Sequence, residues 1–487
     1  MADLSFSRNT KIFVEQVDES EVSTTFWEIP VLDGYSFSQS TNTSEITLNE
    51  MANSAAVSRR GKAIFTDSLS PTEWSFSTYM RPNTSTPGSC VEEMLWAKFL
   101  ANTNYVAPNW TKSDYATQST FVDKSTANQV RFDTSQSNVS ALGTFNLYFV
   151  LGGCGVEKVS NYYDFSNLIT YKIKDCAVNT ASIDFEIDGI AMINWSGFGG
   201  QITEISDFTP GKTGIDEVYI GTIIDTGVSS TSNFIRNRLT QLRVAANNTD
   251  LFPGLNYAVS RVSGNTVTAA GHTFSNDELV TLSGFTDPDL TILNDRTYRV
   301  SSVTTDTFDI SVLKTYAGDS YQVQDTDPSD PVISVPDTTD TGVAGGLYRT
   351  TLTGGNITFE NNISYLTPEE LCKVNQPIEH VTGTRTVTGN FTCYLDKAGD
   401  GEGSADLFNS MTAEDAQTEI RNYFVLEFLV GGSDLPKVEF LFENAHIEVP
   451  NHSIEDIISL DVTFHALQSN LTSEPDEAII TYKGKPA

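Results

Sequence analysis

Apolar residues alternate with Ser, Thr and Asn along much of the chain, and this period of two predicts strands with one buried and one solvated face. The clearest runs occur twice. Phe145–Gly153 and Phe424–Gly432 are apolar runs of equal length that end in Gly-Gly, and upstream of them Ser75–Met80 matches Asn390–Leu395. The chain therefore contains an internal duplication, whose halves we call copy one and copy two.

Each copy has further elements in the same order. Alternating apolar positions downstream of Gly-Gly predict one long strand per copy, over Ile183–Trp195 and Ile454–Phe464. Between the matched runs lies one helix signal: Ser89 and Glu92 form a capping box in copy one, and Ser404 leads the helix in copy two. The apolar residues at helical spacing are Val91, Met94, Leu95 and Phe99 in copy one and Leu407, Phe408 and Met411 in copy two.

The spacing of the elements that open each copy reveals an insertion. Copy one has 29 positions from Arg8 to Phe37, whereas copy two has 123 positions between their counterparts Arg236 and Phe359, a difference of 94. The insertion falls in the loop of the first hairpin of copy two, where a longer loop costs little because closure entropy grows only logarithmically. The strands that open the copies are predicted over Lys11–Gln16 and Leu239–Ala245.

The predicted fold is mainly β: two tandem β-sandwich or barrel domains, each with one short helix, and a small all-β insertion. Within the insertion, Val259–Leu313 has short Val/Thr/Ile strands and Ser-Gly turns, whereas Asp325–Asp340 is rich in Asp, Pro, Thr and Ser and predicts a flexible acidic linker. The predicted boundaries are residues 1–205 for the first domain, 206–231 for a connector, 232–250 with 345–487 for the second domain, and 251–344 for the inserted module and linker.

Composition and charge exclude several classes of protein. The chain has 487 residues, 39% of them hydrophobic, which is too apolar for a disordered chain. Its net charge is −34, so it should repel nucleic acid rather than bind it tightly. The amino terminus has no secretory signal and the apolar run Phe145–Leu151 is too short to cross a bilayer, so we expect a protein made in a cytoplasm without a membrane partner.

Candidate chemical sites are weak. Five cysteines without a CxxC pair predict small buried hydrophobic residues in a reducing cytosol: Cys90, Cys154, Cys176, Cys372 and Cys393. Five histidines without metal-ligand spacing predict ordinary core or surface residues: His272, His380, His446, His452 and His465. Gly211-Lys-Thr213 lacks the first glycine of a phosphate loop, and Asp396–Leu407 lacks the calcium ligands of an EF-hand loop. We therefore predict no catalytic, cofactor-binding or metal-binding residues, and no cofactor.

Three segments resemble the tail tube (major tail) protein family of tailed bacteriophages: Asn361–Leu371 (NNISYLTPEEL), Val374–Arg385 (VNQPIEHVTGTR) and Ile29–Phe37 (IPVLDGYSF). The resemblance implies β-sandwich domains whose sheets line a channel, with an extended loop that docks onto the next ring. It also implies duplicated relatives that form trimeric rings of pseudo-sixfold symmetry. Parts of the insertion are similar to a small β-module of phage structural proteins that lies outside tubes: His272–Gly284, Leu293–Tyr298 and Thr307–Phe308.

The expected function is therefore structural and not enzymatic: self-assembly into stacked rings that form the tail tube, the conduit for genome delivery, with a net-negative channel. The implied partners are further copies of the chain, the tape-measure protein in the lumen, tail terminator and baseplate or tail-tip proteins, and a sheath if the tail contracts. DNA would pass without specific binding, and the protein would reside in the virion tail after synthesis in the bacterial cytoplasm. The alternatives are a β-rich phage fibre or adhesin that binds a host surface, and a polysaccharide-degrading enzyme.

Overall fold

The computed structural model describes eighteen stretches of the chain. These are residues 7–16, 24–46, 63–83, 88–100, 122–123, 128–133, 142–159, 161–212, 221–225, 233–246, 256–294, 296–313, 339–368, 374–397, 403–412, 424–454, 456–468 and 477–485.

The fold is mainly β, as predicted, with one short helix in each copy. The elements of copy one are β1 (Lys11–Gln16), β2 (Thr24–Ile29), β3 (Ser36–Ser38), β4 (Thr41–Glu45), β5 (Ile64–Leu69), β6 (Thr72–Tyr79), β7 (Pro82–Asn83), β8 (Ser89–Cys90), α1 (Glu93–Leu100), β9 (Val122–Asp123), β10 (Gln129–Asp133), β11 (Phe145–Val150), β12 (Thr170–Phe185), β13 (Met192–Gly199), β14 (Ile202–Ile205) and β15 (Gly221–Asp225).

Copy two begins with one strand, is interrupted by six strands of the insertion, and then continues to the last described strand. The elements are β16 (Gln241–Ala246); β17 (Tyr257–Ser263), β18 (Thr266–Ala269), β19 (Leu279–Ser283), β20 (Arg296–Ser301), β21 (Thr307–Val312) and β22 (Gly342–Gly345) of the insertion; and β23 (Leu347–Thr350), β24 (Leu352–Glu360), β25 (Ser364–Leu366), β26 (Glu379–Val381), β27 (Thr386–Tyr394), α2 (Ser404–Thr412), β28 (Phe424–Val430), β29 (Lys437–Ile447), β30 (Asn451–Ile454), β31 (Ile458–Ala466) and β32 (Ile479–Lys483).

The two copies pair their strands in the same order. Copy one runs β2-β1-β11-β12-β13-β6-β3, and copy two runs β23-β16-β28-β29-β31-β27-β24, all antiparallel. In copy one the long strand β12 belongs to two sheets: its first half pairs with β11 and β14, and its second half pairs with β13. A bulge between Val178 and Thr180 and the left-handed backbone of Asp175 (φ 53°) lie where the strand passes from one sheet to the other.

The sandwich closes over a core of alternating side chains. In β6 and β13, Trp74, Phe76, Ile193 and Trp195 are buried, while the residues between them face the opposite side of the sheet. The apolar runs β11 and β28 are buried along their whole length, which agrees with their lack of alternation.

Three local predictions are wrong. The run Ile183–Trp195 is a hairpin rather than one strand, because β12 ends at Phe185 and β13 begins at Met192. In the same way β30 ends at Ile454 and β31 begins at Ile458. Ser89 lies in strand β8 and is not the residue that precedes the helix; α1 begins at Glu93, and the carbonyl of Glu92 accepts the first helical hydrogen bond, from Trp96 N–H.

The insertion forms a closed barrel in the order β17-β18-β21-β20-β19-β22. The strand that closes it, β22, follows the acidic stretch in sequence and pairs with both β17 and β19. The acidic stretch therefore connects two strands of the barrel, β21 and β22. Residues 314–338 themselves lie outside the described part of the chain.

Candidate assembly surfaces

The two copies are joined through a pair of strands that we call the internal seam. Strand β24 of copy two pairs antiparallel with the second half of β12 in copy one, from Thr180↔Glu360 to Phe185↔Gly355. A single sheet thus crosses from one copy to the other, in the order β3-β6-β13-β12-β24-β27-β31-β30.

Side chains of copy two fasten the internal seam beyond the strands. The Asn361 side-chain amide donates to the carbonyl of Phe99 at 2.9 Å and to that of Val178 at 3.3 Å. Further along, the Tyr365 hydroxyl donates to the Asp175 carbonyl at 2.7 Å. These residues lie in Asn361–Leu371, one of the segments that carries the family resemblance, so this segment serves contact between the copies.

Helix α1 fills the space beneath the internal seam. Trp96 has its ring centroid 5.3 Å from that of Phe359 in copy two and 4.9 Å from that of Trp195 in copy one. All eight residues of α1 are buried. In α2, by contrast, only Ser404 and Leu407 are buried, although the helix has nine residues. The two helices occupy equivalent places, so the difference marks a neighbour that α1 has and that α2 lacks among the described residues of one chain.

The strand registers locate the part of copy two that corresponds to residues 180–185 of β12, the copy-one side of the internal seam. Leu147 pairs with Ile173 in copy one and Leu426 pairs with Phe442 in copy two, which places corresponding positions of the long strands 269 residues apart. Residues 180–185 therefore correspond to residues 449–454. No described strand pairs with this edge of β30, and the first and last residues of the corresponding stretch, Val449 and Ile454, are 60% and 79% exposed.

The complementary edge is β3 at the other end of the same sheet. It pairs with β6 as β24 pairs with β27, and its second side meets no described strand. One chain thus presents two open edges that correspond to the two sides of its own internal seam.

One face of the eight-stranded sheet is polar and acidic. The four acidic residues of these strands, counting β12 from Ala177, lie on that face: Glu73, Asp184, Glu360 and Asp461. With β12 again counted from Ala177, neither Lys nor Arg occurs in these strands. The remaining positions of the face are mostly Ser, Thr and Asn, which are polar without charge.

The barrel module packs on the opposite sheet of copy two through a buried ion network. Glu427, fully buried in β28, accepts from Arg243 at 3.0 Å and from Arg299 of the module at 2.5 Å. Asp277 of the module pairs with Lys437 of β29 at 3.0 Å. Burial alone lowers the pKa of Arg299, but Glu427 and neighbouring carboxylates raise it above its ordinary value. The sequence contained one signal that we missed, a lone glutamate in the apolar run Phe424–Val430.

The predicted histidines and cysteines are dispersed. His446 lies beside His465 with ring centroids 6.1 Å apart, whereas His452 contacts Phe408 instead. Cys90, Cys176 and Cys393 are buried as expected; Cys154 is exposed, against expectation; and Cys372 lies outside the described residues. Gly211 and Lys212 lie in a loop, and part of Asp396–Leu407 is outside the description. Among the described residues no group of three His, Cys, Asp or Glu side chains is placed to hold a metal ion. No described helix is both long and apolar enough to cross a membrane.

Comparison with known proteins agrees with this arrangement. No protein-family model matches the chain. The chain is similar to tail tube protein pb6 of Escherichia phage T5, with 24% identity over 491 residues that cover 99% of this chain and 76% of that protein. The similarity spans both copies and the insertion, and it agrees with the segments that resemble tail tube proteins. Over nearly its whole length the chain is therefore similar to a tail tube protein of a bacteriophage, and this similarity supports its recognition as a tail tube protein.

Proposed function

We propose that three copies of the chain close into a ring in which the internal seam is repeated between chains. The observation that carries the proposal is the pairing of β12 with β24 within one chain. The two strand edges that correspond to this pair, those of β30 and β3, pair with no described strand of the same chain. Pairing β30 of one chain with β3 of the next removes both open edges and covers α2 as α1 is covered. Two similar copies per chain then give a ring with six equivalent positions from three chains.

The size of such a ring follows from the sheet. Each chain supplies eight strands, so three chains supply 24. With strands about 4.8 Å apart and tilted by about 40°, the circumference is roughly 150 Å and the backbone diameter roughly 48 Å. A sheet closed in this way encloses an open channel rather than a core filled with side chains.

The polar face would line this channel. Its carboxylates and the absence of Lys and Arg from its strands support a wall that repels the DNA backbone, so that a genome passes without binding. Because the screening length is about 8 Å at physiological salt, only charges on the wall itself act on the passing molecule. The barrel module packs on the other sheet and would lie outside the channel.

Stacked rings would form the tail tube, as the name of the phage T5 relative suggests. In this proposal the lumen holds the tape-measure protein before ejection, and the ends of the tube meet the tail terminator and the baseplate or tail-tip proteins. The protein is synthesised in the bacterial cytoplasm and acts as a building block without catalysis. The two matching open edges, of β30 and β3, favour this function over a fibre, an adhesin or a polysaccharide-degrading enzyme.

The seam is tested with the double variant Val449→Asp, Ile454→Asp. Both side chains are exposed in the single chain, so the fold should remain, as circular dichroism would show. We expect two charges in the seam to abolish the rings and tubes that negative-stain microscopy shows for the wild type.

Val159→Asp, at a position that is 54% exposed and belongs to neither β30 nor β3, is the matched control and should assemble normally. Mass measurement of isolated wild-type rings should give three chains. Rings of six chains, or normal tubes from the double variant, would reject the proposal.

A further inference from the structure

Strand β10 crosses from copy one to copy two. It pairs in full register with β32, from Gln129↔Lys483 to Asp133↔Ile479, and so extends the outer sheet of copy two in the order β28-β29-β32-β10. This second connection between the copies lies on the sheet opposite the polar face.

The crossing strand is held on several sides. The indole N–H of Trp96 in α1 donates to the Tyr482 hydroxyl of β32 at 2.9 Å, and the Phe132 ring of β10 lies 6.1 Å from that of Tyr482. Gly88 lies against the backbone of Gln129 so closely that a Cβ at this glycine would stand 2.1 Å from its carbonyl oxygen. The contact is therefore packed as tightly as a protein core.

Copy one has a strand edge that corresponds to the edge of β32, but no strand corresponding to β10 is described on it. Strand β14 pairs with the first half of β12 as β32 pairs with the first half of β29, but no described strand lies on its second side. By the equivalence of the two copies, a matching cover in the ring would come from copy two of the next chain, from the segment between α2 and β28. That segment has 11 residues, against 44 between α1 and β11 in copy one. If five of the 11 residues formed a strand, three residues would remain on each side of it to connect it to α2 and β28. Three extended residues span about 10 Å.

We infer that the six seams of the ring alternate between two kinds. This inference rests on the proposed ring. Each seam within a chain is closed by the pairing of β12 with β24 and is also covered by β10, whereas each seam between chains is closed by the pairing of β30 with β3 alone. Each chain is then a preformed two-domain block, and the ring opens between chains. The outer edge of β14 keeps unpaired backbone groups in the finished tube.

Hydrogen–deuterium exchange tests the inference on wild-type tubes and on the unassembled Val449→Asp, Ile454→Asp chain. We expect peptides of β32 to exchange slowly in both samples. Peptides of β30 should slow at least tenfold on assembly, whereas peptides covering Ile202–Ile205 should change less than twofold.

Slowing of the Ile202–Ile205 amides to the extent seen in β30 would show a sealed seam between chains and overturn the inference. Fast exchange of β32 in the unassembled chain would also overturn it, because β10 would then not hold the copies together. If tubes form but β30 gains no protection, the proposed ring pairing fails instead, so the two failures are distinguishable.

Discussion

Removing the charge of Glu427 should weaken the attachment of the barrel module to the second copy. In the substitution Glu427→Gln the side chain keeps its size, but Arg243 and Arg299 lose the carboxylate that each contacts. Among the described residues, Arg299 retains the Asp277 carboxylate at 3.0 Å, whereas Arg243 retains the Asp277 carbonyl. Because Glu427 is fully buried, water cannot replace the lost partner without opening the interface.

The magnitude follows from the burial of the network. Breaking a buried ion pair by removing one partner typically costs about 3–5 kcal/mol, since the remaining charge stays uncompensated. The retained contacts of Arg299 place the expected loss at about 3 kcal/mol of unfolding free energy. Apolar contacts between Leu279 of the module and Ala245, Leu347 and Val425 of copy two should keep the module partly associated.

Urea denaturation measures the loss, and hydrogen exchange of β19 and β20 reports whether the module separates before the rest unfolds. Asp188→Asn is the matched control: it breaks the Arg238–Asp188 pair, which is 3.8 Å long with both side chains mostly exposed, and should give no measurable change. A cycle with Arg299→Gln should show a coupling of about 1.5–3 kcal/mol to Glu427→Gln. If Glu427→Gln unfolds like the control, the network does not hold the module and the reasoning is wrong.

Three further predictions concern buried charge and the channel. Burial raises the pKa of Glu92 from 4.5 to about 8, so between these values the folded chain keeps a proton that the unfolded chain has lost, and stability falls as pH rises. Glu92→Gln should therefore gain stability over the wild type as pH increases from 5 to 8 in thermal melts, and an equal difference at both pH values would contradict this. Burial lowers the pKa of Lys98 from 10.5 to about 8, so the unfolded chain binds a proton more readily and the stability of the fold is lost as pH falls from 10.5 to 8. Lys98→Met should therefore be more stable than the wild type at about pH 7, and the difference in stability should disappear near pH 10.5. Asn390→Lys places three cations per proposed ring on the polar face, and its tubes should bind duplex DNA at low salt and release it at high salt, whereas wild-type tubes should bind none at either; DNA binding by the wild type would refute the repulsive wall.

The predicted and the observed strands differ where a strand depends on residues far away in the chain or where a turn interrupts a continuous alternation. The alternation in Ser75–Met80 and Asn390–Leu395 identified β6 and β27, because a period of two is a property of neighbouring residues. The same alternation ran through the hairpin turn inside Ile183–Trp195, since exposed apolar residues such as Ile187 continue the pattern, although Asp188-Gly189 marks the turn and Gly189 has a φ of 118°. Strand β10 gave no comparable signal, because its stability comes from β32, 350 positions later in the chain.

The sequence by itself determined the β-rich class, the duplication, one helix per copy and the position of the insertion, because each of these is written in local spacing or in self-similarity. Only the tertiary structure decided which edges meet. The pairing of β12 with β24, the crossing of β10, and the burial of Glu427 between two arginines all join residues far apart in the chain. Such contacts depend on the shapes and charges that two folded surfaces present to each other, and no local pattern in either segment specifies its partner.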